Sequence, residues 1–151
     1  MTELEKLAAT EELRQLKARY FRGVDLDQPA LIRELLADDC ELDYRGCCTD
    51  PESGRDFLPA MNMVLRGQAA KDAFGKARMR SAHHGHNFEV TFTSDTSADV
   101  LWAMSDRLWL PEGAPIRELR GWGHYHETYV KVGGAWKLKT LRITRVRVEG
   151  A

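Results

Sequence analysis

No stretch of this chain is long and apolar enough to span a bilayer. Neither sign of charge dominates. Twenty-two Lys and Arg stand against 23 Asp and Glu, a net charge of −1, which leaves no electrostatic footprint for nucleic acid or an anionic membrane. Basic runs at 76–80 and 142–147 are offset elsewhere and read as solvated faces. Cysteine is scarce: Cys40, Cys47 and Cys48. Their odd number, the adjacency of two and the lack of metal-site spacing argue against a disulfide framework or a zinc site. They read as reduced thiols of a cytoplasmic protein, with no catalytic role. Residues 1–6 are charged and lack the apolar core of a secretion signal. There is no phosphate loop, nucleophile elbow or dinucleotide fingerprint, so no cofactor is expected.

What is present is a chain of 151 residues, 43% hydrophobic and 30% charged, the size and composition of one ordinary soluble domain over residues 1–151. Leu4, Leu7, Ala8, Leu13, Leu16, Tyr20, Phe21 and Val24 recur at helical spacing, with Thr10 a candidate cap for an inner restart and an end near 25–27. Pro29 opens a second short helix, ended by Asp38-Asp39. A short strand follows at 41–44, then a loop at 46–54 and a weaker helical region from Arg55 to about Lys76. The character then changes to four long runs with β-branched and aromatic residues, from 78 to 93, 97 to 110, 117 to 132 and 135 to 149. Helices followed by hairpin-linked strands predict an α+β fold. Strands this long must coil, and helices against the concave face would close a cone around a cavity.

Five histidines fall in two segments, His83/His84/His86 and His124/His126. Imidazole is the side chain best suited to moving protons near neutral pH, and a carboxylate on one ring nitrogen makes the other a better base. Asp25 is the candidate partner, because an acid at a helix C-terminus opposes the dipole and is a poor choice for stability alone. Strict alternation places His84 and His86 with Phe88, Val90 and Phe92. His83 then shares a face with Gly85, Asn87, Glu89 and Thr91. Either the polar face lines a pocket, or a bulge at Gly85 switches the register. Asp106 shares a face with Trp102 and Met104, which suggests a partly dry site or an ion pair with Arg107 or a neighbouring strand's arginine. Phe57, Met61, Trp102, Met104, Trp122 and Tyr125 are candidate pocket walls, each also suited to plain core. A histidine cluster holding a metal is conceivable, but no recognised metal motif is present and no metal site is assigned.

The segments Ala18–Asp25, His83 with Asn87, Leu101–Asp106, Gly121–Tyr129 and Gly134–Leu138 resemble the SnoaL-like branch of the nuclear-transport-factor-2-like superfamily. The resemblance covers about residues 10–148. Within that branch the chain is most similar to the group containing bile-acid 7α-dehydratase, scytalone dehydratase and hexachlorocyclohexane dehydrochlorinase. It implies a curved, mixed, mostly antiparallel sheet closed by N-terminal helices (a cystatin-like α+β barrel). It also implies a catalytic set of Tyr20, Asp25, His83, Asp106 and Arg145, with His84 competing for the histidine role and Arg142 and Arg147 for the arginine. The expected activity is cofactor-independent acid–base elimination of water from a small apolar substrate, such as a steroid, terpenoid, polyketide or aromatic compound. A ketosteroid-isomerase-like isomerase, a polyketide cyclase or a non-catalytic ligand-binding module are the alternatives, since one fold hosts many functions. A homo-oligomer, dimer or trimer, is expected because the outer face of a curved sheet needs cover.

Overall fold

The computed structural model describes residues 1–76 and 79–151. Helix α1 (Glu3–Asp25) begins at a capping box: Thr2 Oγ1 accepts from Glu5 N, and the Glu5 carboxylate accepts from Thr2 N. The helix is continuous, so Thr10 starts nothing. Its hydroxyl donates to the Lys6 carbonyl one turn back. Leu13, Leu16, Lys17, Tyr20 and Phe21 form the buried stripe. Helix α2 (Pro29–Leu35) carries Pro29 in its first turn and buries Ile32 and Leu35. The two helices meet at Gly23, where a methyl would lie 2.8 Å from Ile32 Cγ1.

Strand β1 (Leu36–Asp43) follows α2 directly. Asp38 and Asp39 therefore lie within a strand rather than ending a helix, and they pair with Lys71 and Lys139. The expected helical region after Arg55 is a different structure. Asp56 bridges Thr49, residues 59–61 make one 3₁₀ turn, Val64–Arg66 form β2 on the edge of β1, and only Gly67–Asp72 is helical (α3). Pro59 supplies no amide donor, and Gly67 takes a φ of 52°, so neither residue continues a helix.

The four long strands are β3 (Arg80–Ser94), β4 (Ser97–Trp109), β5 (Glu118–Val132) and β6 (Ala135–Gly150). The expected start of β3 at Arg78 lies outside the described residues. The sheet order is β2-β1-β6-β5-β4-β3, with β1 and β6 parallel and every other pair antiparallel. It is a mixed, mostly antiparallel sheet that stays open, with β2 and β3 as its edges, so the barrel is incomplete. Alternation is clean on β4, where Ala98, Val100, Trp102, Met104, Asp106 and Leu108 are buried. Helix α1 lies across this inner face.

Within the core, Lys17 Nζ meets Glu127 Oε1 at 2.5 Å, and Tyr129 Oη donates to Glu127 Oε2 at 2.5 Å. The ammonium also sits 3.6 Å from the Tyr125 ring centroid and 4.5 Å from that of Phe21. Burial pushes the Lys17 ammonium down, and Glu127 offsets part of that. Removing one member strands a buried charge, whereas removing both need not. Lys17→Met should therefore lower the unfolding free energy by about 3–5 kcal/mol. Lys17→Met with Glu127→Leu should regain most of the loss, as read by urea titration.

Candidate active site

A cavity of about 350 Å³ lies between α1, α2, the 61–76 segment and the inner face of the sheet. Tyr20, Tyr44, Cys47, Cys48, His83, Asp106, Tyr125 and Arg145 face it, together with an apolar wall that includes Ile32, Met61, Met63, Leu65, Phe74 and Ile143. A larger trough of about 600 Å³ lies on the outer face, lined by Glu41, Asp43, Glu89, Asp99 and Arg142 among others. It is open and shares none of these groups.

The histidine question is settled by a bulge. On β3, His83 pairs with Asp106 and Gly85 with Met104, but Phe88 pairs with Trp102. Three residues of β3 thus span two of β4, and one extra residue is absorbed at His86-Asn87. Ser81, His83 and Gly85 point inward before the bulge, and Phe88, Val90 and Phe92 point inward after it. His84 and His86 are exposed on the other face, where His86 Nε2 meets Ser105 Oγ at 3.0 Å.

Asp25, the last residue of α1, reaches β3. Its Oδ1 lies 2.6 Å from His83 Nδ1 and accepts from Ser81 Oγ at 2.8 Å, and its Oδ2 accepts from His83 N at 2.9 Å. Partial burial pushes the Asp25 carboxyl up, but the hydrogen bonds from His83 and Ser81 outweigh it and hold the group below its ordinary value. An ionised Asp25 fixes the proton on Nδ1 and leaves Nε2 with the lone pair. Among the described residues Nε2 has no hydrogen-bond partner. The ring is held flat by Phe21, with centroids 5.6 Å apart and planes 8° from parallel.

Arg145 and Asp106 form the second pair. Nη1 donates to Oδ1 at 3.0 Å and Nη2 to Oδ2 at 2.8 Å, with both side chains almost fully buried. Arg145 Nε donates to the Cys47 carbonyl at 2.6 Å. Burial disfavours the guanidinium charge, but Asp106 overrides this and raises its pKa. Register selects this arginine. Gly123 pairs with Arg145 and Trp122 with Arg147, so Val146 bulges outward at 65% exposure. Arg147 then binds Glu149 and Glu52 on the surface, and Arg142 lines the outer trough. The pair has room because Gly121 faces it, where a methyl would overlap both Asp106 Oδ1 and Arg145 Nη1. Tyr20 Oη lies 3.1 Å from Tyr44 Oη. Burial pushes both hydroxyls up, and neighbouring groups add to this at Tyr20, so both stay neutral donors.

Of the expected walls, Met61 and Tyr125 line the cavity. Phe57 does not: it lies under the Arg55 guanidinium and against Gly150, because its segment bends away after the Thr49–Asp56 bridge and is not helical. Trp102 points inward but lies past the bulge, stacked on Phe88 at 4.5 Å. Met104 is buried, with its sulfur 3.3 Å from Arg145 Nη1. Trp122 faces outward at 40% exposure, since an odd spacing separates it from Tyr125. Tyr44, Ser81 and the Cys47 carbonyl were not anticipated. Ser81 was within reach, as it alternates with His83. No group of three or more His, Cys, Asp or Glu among the described residues is placed to hold a metal.

The fold is that of the nuclear-transport-factor-2-like cone. The SnoaL-like domain model matches residues 5–142, and the chain belongs to that family. Solved structures agree on the architecture. A Novosphingobium aromaticivorans protein provisionally assigned as a scytalone dehydratase superposes with a TM-score of 0.78 at 23% identity, covering 100% of this chain and 92% of the other. Hexachlorocyclohexane dehydrochlorinase LinA-type3 of Novosphingobium barchaimii gives 0.75 at 19% identity, with coverage of 99% and 94%. An Exiguobacterium sibiricum protein provisionally assigned as a calmodulin-dependent kinase II association domain gives 0.67 at 14% identity, covering 92% and 94%. Such identities establish a shared fold and leave the reaction open.

The depressed Asp25 value has a direct pH consequence. A carboxyl lowered on folding stabilises the native state above its unfolded value, and that stability is lost as pH falls through the folded value. Asp25→Asn should therefore lower the urea midpoint at neutral pH and flatten its decline through the acidic carboxylate range.

Proposed function

We propose that this protein is a cofactor-independent lyase that removes water from a small, uncharged β-hydroxy ketone or a related activated substrate. The observation that carries this reading is the Asp25–His83 contact of 2.6 Å on the cavity wall, with Nε2 left without a partner among the described residues. In this reading Nε2 takes the proton next to the substrate carbonyl. Asp25 orients the ring and stabilises the imidazolium. The Tyr20–Tyr44 hydroxyl pair donates to the developing enolate oxygen, and the departing hydroxyl receives the proton that Nε2 removed, so that water leaves and both tyrosines stay neutral. Asp106 serves as the anchor of Arg145, which fixes one polar end of the ligand.

Charge supports the substrate class. Arg145 is matched by Asp106, and the Asp25 carboxylate is satisfied by hydrogen bonds from Ser81 and His83, so among the described residues the cavity wall offers an ionic ligand no buried charge without partners. The apolar wall of methionine, leucine, isoleucine and phenylalanine suits a hydrocarbon skeleton. Among the described residues no helix is long and apolar enough to cross a membrane. All three cysteines are free, which suits a reducing compartment, and we place the protein in the cytoplasm.

His83→Ala should reduce turnover by about 10²–10⁴-fold while leaving ligand affinity nearly unchanged. Tyr20→Phe and Tyr44→Phe should each cost on the order of 10²–10³ in kcat. A panel of cyclic β-hydroxy ketones, followed by product mass, provides the assay. Loss of one water marks elimination, and an unchanged mass with a moved double bond marks an isomerase. Binding without turnover across the panel would make the protein a ligand carrier instead. The exposed outer face, with Trp122 and Val146, supports assembly into a dimer or trimer. Light scattering at micromolar concentration should report that mass, and a monodisperse monomer would contradict it.

A further inference from the structure

The cavity holds two reactive groups that acid–base elimination does not use, the thiols of Cys47 and Cys48. Both residues are only 3% exposed, and both line the cavity. In an extended strand, neighbouring side chains point to opposite sides. Here a turn brings them together, with Sγ atoms 3.6 Å apart. The turn is pinned at several points. Cys47 N donates to the Tyr44 carbonyl at 3.1 Å, Phe57 N donates to the Cys48 carbonyl at 3.1 Å, and Thr49 bridges Asp56. Arg145 binds the Cys47 carbonyl at 2.6 Å, so its guanidinium stands beside the pair.

We propose that Cys47 and Cys48 form a preorganised dithiol site for a soft trivalent centre, of which an organic arsenical is the matching class, and that its occupant sits in the same cavity as His83. Thiolate sulfur is the soft ligand of the protein repertoire. A pyramidal trivalent arsenic accepts two sulfurs on one side, and a pinned pair loses little freedom on closing that ring. The hydrogen bond from Cys48 and the nearby Arg145 charge favour the Cys47 thiolate, while burial opposes it. The reaction balances without an oxidant. Two S–H bonds and the arsenic–oxygen bond break, two S–As bonds form, the oxygen leaves with both protons as water, and arsenic stays trivalent. This site is independent of the elimination reading: it needs the thiols and the cavity, not the base.

The test uses the full chain, reduced and then freed of reductant, with phenylarsine oxide as the probe. Intact mass should show one phenylarsenic group per chain with two thiol protons lost, and peptide mapping of the unmutated protein should place it on residues 47 and 48. A 1,2-dithiol should strip it, and an excess of monothiol should not. Cys47→Ser and Cys48→Ser should each weaken binding by on the order of 10²–10⁴-fold, since each removes the chelate. Cys40→Ser should leave it intact, because Cys40 is outside the cavity lining. Met61→Trp, which narrows the cavity, should slow labelling of the folded chain but not of the chain in urea. No adduct, an adduct mapped to Cys40, equal affinity in the single-serine variants, or a rate indifferent to Met61→Trp would overturn the proposal. The peptide map decides the case even where a serine variant fails to fold.

Discussion

One carboxylate joins the two halves of the molecule. Asp25 ends the first helix and accepts hydrogen bonds from the side chain of Ser81 and from both the backbone and the ring of His83. A helix end normally disfavours a negative charge, because the local carbonyls already present partial negative charge. Asp25 is kept ionised there by the strand and not by its own helix. Through this residue the helical cover is registered against the sheet, and the imidazole is oriented by the same contact. Packing of Phe21 on the ring and the burial of Leu13 and Leu16 place the helix, and the left-handed Asp27, with Gln28 N donating to the Gly23 carbonyl, ends it just past Asp25.

A second constraint is that buried charges do not stand alone. Among the described residues, Lys17 has Glu127 in the core and Arg145 has Asp106 at the cavity, while the Asp25 carboxylate is satisfied by hydrogen bonds from Ser81 and His83. Such pairs are weak contributors to net stability, because desolvation consumes most of the attraction. Their value here is positional. The Arg145 fork is held by Asp106 on one side and a backbone carbonyl on another, and the missing side chain at Gly121 makes the space for it. The tyrosine hydroxyls, raised well out of the physiological range, add hydrogen-bonding capacity without adding charge.

Much of this was legible in the sequence, for identifiable reasons. The helix periodicity, Pro29, and the tight turns signalled by residues 93–96 and 132–134 act over a few residues and so survive without tertiary information. Segment 55–76 did not, because its shape depends on the edge of β1, which offers Val64–Arg66 a pairing partner that local propensity cannot see. Candidate site residues separated along the same line. Asp25 stood out through chemistry at odds with its local context, whereas His83 was preferred to His84 through the family resemblance, because alternation counted back from Phe88 is reset by the bulge at 86–87. Arg145 could not be chosen over Arg142 and Arg147 by alternation, since an outward bulge at Val146 resets the phase of that strand. Trp122 was misplaced for the complementary reason: its chemistry suited a wall, but its parity with Tyr125 did not. Tyr44 and the Cys47 carbonyl depend on a turn whose path is set by distant contacts.

The extra residue in β3 divides that strand into two segments with independent phase. Toward one end the inward positions are Ser81, His83 and Gly85, and toward the other they are Phe88, Val90 and Phe92. Each half can therefore accumulate changes suited to its own surroundings, solvent-wetted chemistry in one and oily packing in the other, without forcing a compromise on its neighbour. Deleting a single residue at 86–87 would fuse the halves and turn His83 outward or the three apolar side chains into water. The Ser81–Gly85 half can thus vary its chemistry while the Phe88–Phe92 half keeps its packing, provided the length of that short junction is preserved.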